Sequence, residues 1–257
     1  MRLYIKYFAI QFRSVMEYKA SFFLTTIGQF FISFNIFLGI YFMFQRFPIV
    51  EGFTYSEVLL CFGMTLLEFS LAECFARGFD MFSIMIKKGE FDRIMVRPRN
   101  EIFQVLGNYI EFTRLGRIIQ ALIMFAYGIA ANNITWDLGK IITVLFMLVG
   151  GTVLFSGIFL IYASLCFFTT EGLEFMNVLT YGAREYGKYP VSIYGKRMLQ
   201  FCTFIVPYSL VQYYPLLNLL DRGKPYYSLL PLLACLFLIP CYLLWRMGVK
   251  HYTSCGS

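Results

Sequence analysis

Three acidic residues lie within an otherwise apolar stretch, Phe53–Phe75, and they are the first candidates for chemistry. A charged side chain inside a membrane costs at least about 2.5–3.5 kcal/mol on insertion scales, so such residues are usually paired or functional. Glu73 precedes Arg77 by four residues, which favours a helical ion pair. Glu57 is expected near one membrane interface, where a charged side chain costs little free energy. Glu68 is expected to lie deepest in the membrane. Two roles stay open for it: it lines a substrate path or gate, or it forms a buried hydrogen bond.

Other reactive side chains exclude several kinds of site. The chain has one histidine, His251, and its seven cysteines never form a CxxC pair. A metal site rich in histidine and a haem with two histidine ligands are therefore excluded. There is also no Walker lysine loop and no GxSxG. We expect no catalytic residue, no metal and no cofactor in this chain, so any ATP hydrolysis must take place in another chain.

Composition places these residues in a membrane. Of the 257 residues, 59% are hydrophobic and 14% are charged, whereas a soluble domain has about 25% charged residues. The mean hydropathy is +0.65. A chain of this kind could not hide its apolar side chains in a core of its own and stay soluble. The composition excludes a soluble enzyme, a nucleic-acid binder and a disordered protein, and it predicts an all-α integral membrane fold.

Apolar runs of about 20 residues are long enough to span a bilayer as helices. The stretch with three glutamates is counted as a span because the chain must cross the membrane there to connect the neighbouring spans. The sequence thus predicts a single transmembrane domain over residues 1–257. Its six predicted spans are 21–45, 54–76, 116–136, 141–168, 198–220 and 226–246.

Basic residues are distributed unevenly between the loops of this six-span arrangement. Eighteen of the 22 lysines and arginines fall on one side, which leaves Arg46, Lys140, Arg222 and Lys224 on the other. Because positive charge is retained in the cytoplasm, the bias predicts that both termini are cytoplasmic.

Three connecting segments have amphipathic character. The polar residues of the N-terminal segment, from Arg2 to Lys19, share one helical arc, which predicts an interfacial helix on the inner leaflet. Ile102–Arg117 is expected to begin as an amphipathic helix that runs on into the third span. Glu171–Tyr189 is expected to be a cytoplasmic helical excursion that ends before Pro190.

The segment Lys87–Arg99 is the sharpest local feature. Gly89 is expected to stop the preceding helix, and a short helix follows with Phe91, Ile94 and Met95 on one face. Two interpretations stay open. The apolar face suits a groove of a soluble partner, and the basic residues suit anchors that hold anionic lipid.

Two prolines, Pro207 and Pro215, interrupt the fifth apolar run. Proline leaves a carbonyl unpaired, which is tolerated in a membrane where protein or water supplies a partner. The stretch Pro207–Leu220 is expected to be either a re-entrant or tilted segment, or a span with a simple kink.

Three passages together resemble the membrane subunits of type-2 ABC exporters, in a bacterial branch of about 260 residues with six spans. The first is a G-x-(apolar)-D-x-x-(apolar)-x-R-P stretch after the second span, the second a YP…FxxP…YYP order, and the third a closing W-x-x-G-x-x-x-Y-x-S-x-G-S. In this sequence they are Gly89–Pro98, Tyr189–Pro215 and Trp245–Ser257.

The resemblance implies a permease in the bacterial cell membrane that pairs as a homodimer or heterodimer and sits on two copies of a cytoplasmic ATPase, which would hold ATP and Mg²⁺. Membrane lipids are expected as further partners, and nucleic acid is not. Pro207 and Pro215 join Glu68 as residues of a path or gate between the subunits. Nothing selects the substrate. The residues that the resemblance assigns to ATPase coupling are Gly89, Glu90, Phe91, Asp92, Arg93, Ile94, Met95, Arg97 and Pro98.

Two other function classes stay open. A stand-alone secondary transporter or channel predicts intramembrane charge partners or an inverted repeat, and the sequence offers Glu68 and no repeat. An intramembrane enzyme needs a converging catalytic set, which scattered glutamates and one histidine do not supply. Copurification of an ATPase, or transport without one, distinguishes these classes from an ATP-driven permease.

Overall fold

The computed structural model describes residues 2–169 and 175–253, which are mostly helical and include one small hairpin. Strands β1 (Ile49–Val50) and β2 (Phe53–Thr54) pair antiparallel with Ile49 opposite Thr54. Four 3-10 turns lie at Phe112–Arg114, Val191–Tyr194, Pro225–Leu229 and Cys235–Phe237. The helices are α1 (Arg2–Glu17), α2 (Lys19–Arg46), α3 (Tyr55–Phe75), α4 (Arg77–Asp80), α5 (Phe82–Lys87), α6 (Glu90–Met95), α7 (Glu101–Asn108), α8 (Leu115–Ala131), α9 (Leu138–Thr169), α10 (Met176–Leu179), α11 (Tyr181–Tyr186), α12 (Lys196–Phe204), α13 (Tyr208–Val211), α14 (Tyr213–Leu219), α15 (Leu230–Ala234) and α16 (Leu238–His251).

Five helical stretches of the described chain are long and apolar enough to cross a membrane. They correspond to five of the six predicted spans, and the all-α membrane class is confirmed. The stretches are Lys19–Arg46, Tyr55–Phe75, Phe112–Ala131, Leu138–Thr169 and Pro225–His251.

The remaining predicted span, 198–220, is not one continuous helix, and whether it spans a membrane stays a prediction. The chain there forms α12, α13 and α14, with breaks at residues 205–207 and at Gln212. Pro207 lies at the first break, where a residue without an N–H cannot continue the helical ladder. Pro215 does not break the chain: it is the third residue of α14, and proline is tolerated in the first turn of a helix.

The chain from α11 to Arg222, which includes this broken segment, nevertheless crosses the bundle alongside α3. Just beyond one end of α3, the Tyr181 hydroxyl of α11 donates to Asp80 of α4 over 2.9 Å. Halfway along, the Tyr208 hydroxyl lies 3.4 Å from that of Thr65. At the other end, Arg222 Nη2 lies 2.6 Å from Glu57 Oε1. The described chain therefore traverses the bundle six times, five times as a long helix and once in short pieces.

The N-terminal helix and the C-terminal end of α16 lie at the same end of the bundle. The Tyr4 hydroxyl contacts the carbonyl of Phe75 over 3.4 Å, and the Tyr252 hydroxyl donates to Asp92 over 2.9 Å. This arrangement requires an even number of crossings, in agreement with the six counted from contacts. Which compartment each end faces stays a prediction.

One of the three amphipathic segments differs from expectation. The predicted helix over Ile102–Arg117 is wrong as a continuous element, because α7 ends at Asn108 and the N–H of Glu111 instead donates to the Cys74 carbonyl over 3.1 Å. In the predicted excursion Glu171–Tyr189, residues 170–174 lie outside the described residues, and the rest forms α10 and α11. The N-terminal segment is the helix α1, while its place at a membrane interface stays a prediction.

An aromatic cluster holds the ends of α9 and α16 against the segment after α3. Phe91 is its centre, with ring centroids 5.2 Å from Phe82, 5.2 Å from Phe167 and 5.1 Å from Tyr252. Phe167 and Trp245 are themselves 5.1 Å apart. Edge-to-face pairs at these distances contribute about 0.5–1.5 kcal/mol each beyond the burial of apolar area. The cluster comprises Phe79, Phe82, Phe91, Phe167, Trp245 and Tyr252.

We expect Gly248→Ala to destabilise the protein by about 1–3 kcal/mol, the usual cost of an extra group in a filled core. The added methyl would overlap the Phe167 ring and lie 3.1 Å from the Ser164 carbonyl oxygen. The measurement is the thermal unfolding midpoint of the purified chain in detergent. Gly28→Ala is the matched control, because a methyl there meets no atom within 4 Å. Equal midpoints for the two variants would contradict this account of the cluster.

Candidate coupling segment and buried charge cluster

The coupling segment, Gly89–Pro98, is held in place by local backbone chemistry. Gly89 has φ +66°, a left-handed conformation that favours glycine, so α5 ends there and α6 starts in a new direction. The predicted helix stop at Gly89 is confirmed. The Gln104 amide donates to the carbonyls of Ile94 over 3.4 Å and Arg99 over 3.2 Å, which fixes the far end of the segment to α7.

The expectation that Phe91, Ile94 and Met95 form one exposed apolar face is wrong for two of the three. Phe91 is 0% exposed and Ile94 is 3% exposed. Burying such a side chain is worth about 1.5–3 kcal/mol, and the aromatic cluster of the same chain already supplies the partners. Apolar surface remains at Met95, which is 46% exposed, and at Val96, which is 84% exposed.

Polar residues of the coupling segment have two different surroundings. Asp92 accepts the hydrogen bond from Tyr252, which ties α6 to the end of α16. Glu90, Arg93 and Arg97 line a polar pocket of about 490 Å³ between α6 and α1. Pro98 is exposed beyond the end of α6.

A buried charge cluster lies where α3 meets α4 and α8. Glu73 is 0% exposed, and the predicted pair with Arg77 is present at 3.7 Å. Its nearer partners were not predicted: Arg117 at 2.6 Å and Arg114 at 3.3 Å. The signal in the sequence was two arginines three residues apart at the start of an apolar span, because such charges need an acid nearby.

Arg77 extends this cluster to α11. Its guanidinium donates to the Tyr181 hydroxyl over 2.6 Å and forms an ion pair with Asp80. Burial, followed by the neighbouring Asp80 carboxylate, raises the pKa of Tyr181 to about 12, so this phenol stays protonated and acts as a donor. The charge cluster, Glu73, Arg77, Asp80, Arg114, Arg117 and Tyr181, therefore joins α3, α4, α8 and α11.

Glu68 lies on a polar stripe of α3 that the broken segment covers. The stripe is Cys61, Thr65 and Glu68, which share one helix face by their spacing of four and three residues. Glu68 is 0% exposed, and neither carboxyl oxygen has a hydrogen-bond partner among the described residues. The carboxyl group of Glu68 packs against the backbone of Gly151, and a methyl group added at Gly151 would overlap that carboxyl group.

The cover over this stripe comes from the residues that follow Pro207. The Gln212 amide donates to Cys61 Sγ and to the Gly187 carbonyl, each over 2.9 Å. Tyr208 contacts Thr65, as described above. The structure thus brings Pro207 close to the stripe of Glu68, whereas Pro215 lies further along α14 and packs in its first turn.

An apolar groove of about 480 Å³ lies between α2, α3 and α8. Phe30, Phe34 and Phe37 form one wall, and Gln120 is a polar residue within it. Gln120 is 3% exposed, and its carbonyl oxygen has no hydrogen-bond partner among the described residues. Elsewhere in the described part of the chain, no group of three His, Cys, Asp or Glu residues is placed to hold a metal ion.

We expect Glu73→Gln to destabilise the chain by about 3–5 kcal/mol, because three arginines would lose their shared buried acid. The measurement is the thermal unfolding midpoint in detergent. Glu185→Gln is the matched control: Glu185 pairs with Arg184 at 2.8 Å, but its side chain is 46% exposed, so we expect less than about 1 kcal/mol. A Glu73→Gln midpoint close to that of the control would show that the cluster does not fix the fold.

A family model described as ABC-2 family transporter protein matches residues 7–256. No curated protein and no solved structure matches the chain. The match spans almost every residue of the bundle, including the coupling segment, the charge cluster and the broken crossing. The chain therefore belongs to the ABC-2 family of transporter membrane proteins, and it is a multi-pass permease.

Proposed function

We propose that this permease is the membrane subunit of an ATP-driven exporter in the bacterial cell membrane. It pairs with a second permease subunit, a copy or a relative, and binds two copies of a cytoplasmic ATPase that hold ATP and Mg²⁺. The chain itself contributes no catalytic residue. The coupling segment and both described chain ends lie at the cytoplasmic end of the bundle.

One observation carries this proposal: the insertion of Phe91 into the aromatic cluster. An ATPase moves a membrane protein only through contacts that differ between its own states. Helix α6 is too short to be anchored by its own hydrogen bonds, yet Phe91 contacts Phe167 of α9 and lies next to Trp245 of α16. A displacement of α6 is therefore transmitted directly to the two membrane-crossing helices that contain Phe167 and Trp245.

The surface available to the ATPase is the outer face of the same segment. Met95 and Val96 are exposed there, next to the exposed arginines Arg97 and Arg99. An apolar anchor within a basic rim is a common arrangement at protein interfaces, in which the anchor supplies affinity and the rim tunes association. Phe91 acts in this proposal as the transmitter rather than as the anchor.

The proposed path follows the polar stripe of α3. Burying polar side chains in a membrane protein costs free energy, so such residues commonly mark a conducting or binding site. Here the covering chain is broken at residues 205–207 and at Gln212, so the cover consists of short pieces. Separation of those pieces from α3 would open Glu68 to a path between the two permease subunits.

We expect Val96→Asp to lower the ATPase-to-permease ratio in the purified complex by about tenfold or more, because a charge would replace an apolar anchor of about 2 kcal/mol. Val96→Leu is the matched control and should keep the ratio. Phe91→Ala is a poorer probe, since Phe91 belongs to the core and its loss would impair folding. A ratio unchanged by Val96→Asp, or transport by the permease in liposomes without any ATPase, would contradict the proposal.

We expect Glu68→Cys, in a background without other cysteines, to react with a water-soluble maleimide only in the complex trapped with ATP. In the described state Glu68 is 0% exposed, so the permease alone should not be labelled. Phe62→Cys, at a position that is equally buried but off the stripe, is the control. Labelling of neither cysteine in any nucleotide state would show that Glu68 has only a structural role.

A further inference from the structure

The polar pocket between α1, α6 and α7 is lined by both basic and acidic side chains. Arg93 and Arg97 stand one helical turn apart on one side, and Glu90 lies on the same face of α6. Both arginines are exposed, and within residues 2–169 and 175–253 neither guanidinium group makes a hydrogen bond or an ion pair. Two guanidinium groups with unused donors form a geometry that suits the oxygens of a phosphate group.

Neutral donors complete the pocket. Tyr7 of α1 and Tyr109, just after α7, line it together with the side chains of Gln11 and Asn108. The Gln11 amide donates to the Asn108 carbonyl over 2.7 Å, which fixes α1 to the end of α7. Burial, followed by the nearby Glu90 carboxylate, raises the pKa of the Tyr109 phenol. The carboxylate of Glu90 thus faces into the same pocket as the two arginines.

The position of the pocket indicates where its ligand comes from. Helix α1, which lines the pocket through Tyr7 and Gln11, also carries exposed apolar side chains, with Ile5 60% exposed and Ile10 62% exposed. A helix with such a face lies at the depth of lipid headgroups. An apolar groove of about 450 Å³ also has α1 and α7 among its walls, through Tyr4 and Leu106, and extends to α9 and α16. Such a groove suits an acyl chain.

We propose that this pocket binds one phospholipid of the adjacent leaflet, of the phosphatidylethanolamine type. The phosphate lies between Arg93 and Arg97, and the ammonium group donates to Glu90. A zwitterionic headgroup matches the mixed charge of the walls, whereas a purely anionic one leaves Glu90 without a partner and a quaternary ammonium has no N–H to donate. The test of this inference does not depend on the ATPase, because it uses the purified chain alone; Arg97 borders both the pocket and the surface proposed for the ATPase.

A titration of the full purified chain tests the proposal by native mass spectrometry. The probes are phosphatidylethanolamine and phosphatidylcholine with identical acyl chains. We expect phosphatidylethanolamine to bind more tightly, and the double variant Arg93→Ala/Arg97→Ala to weaken it by at least about tenfold, the effect of losing one charge-assisted hydrogen bond or more. Glu90→Gln should reduce the preference for phosphatidylethanolamine over phosphatidylcholine.

Arg99→Ala is the matched control, since Arg99 is exposed on the same loop but does not line the pocket. Weakening by Arg99→Ala as large as that of the double variant would overturn the proposal in favour of non-specific surface charge. Equal binding of the two lipids would overturn the role of Glu90, and displacement by soluble glycerophosphoethanolamine at the same concentration would overturn the lipid as source. If the double variant fails to fold, Arg97→Ala alone gives the same comparison.

Discussion

The contact between Glu73 and Arg117 is the interaction on which the rest of the structure depends. Helix α3 is buried on nearly all sides, so it carries its acid into a region with no water to solvate it. Arg117 of α8 reaches that acid at 2.6 Å, and Arg114 supports it from the turn before α8. A buried charge requires its partners in good geometry. This requirement fixes the axial position of α8 relative to α3. Arg77 extends the same constraint to Asp80 and Tyr181 through its own contacts.

Much of the bundle follows from the sequence because long apolar runs have few solutions in a membrane. Five crossings appear as helices at the positions that hydropathy indicates. The stop at Gly89 was also predictable, since a left-handed residue after a helix is most often glycine. Pairing within one helix, such as Glu73 with Arg77, follows from a spacing of four residues.

The errors have a common physical origin, which is packing between segments that are distant in sequence. Helical periodicity showed that Phe91 and Ile94 share a face, but not that Phe82 and Phe167 would cover it. Spacing likewise identified two prolines in the fifth run. Only the position of each within its helix shows that Pro207 stands at a break and Pro215 within a first turn. The partners of Glu73 on α8 were missed for the same reason, because they lie more than 40 residues away.

The aromatic cluster makes the end of the bundle that carries Gly89–Pro98 stiff, while the segment that covers the polar stripe is made of short pieces. Rings packed edge to face resist independent movement, since each has several neighbours at van der Waals distance. Short helices that end at breaks leave backbone groups with few partners and open at lower cost. In the proposed function, the rigid aromatic cluster and the divided cover together convert a displacement of α6 into an opening elsewhere.

Asp221 and Arg222 close the opposite end of the bundle with two adjacent charges of opposite sign. Asp221 pairs with Lys140 at 2.8 Å and Arg222 with Glu57 at 2.6 Å, while their own side chains are 69% and 47% exposed. Mobile ions reach such half-exposed pairs and screen them, whereas they do not reach Glu73. Concentrated salt therefore weakens the two pairs at Asp221 and Arg222, whereas the buried ion pairs of Glu73 keep their strength at the same ionic strength.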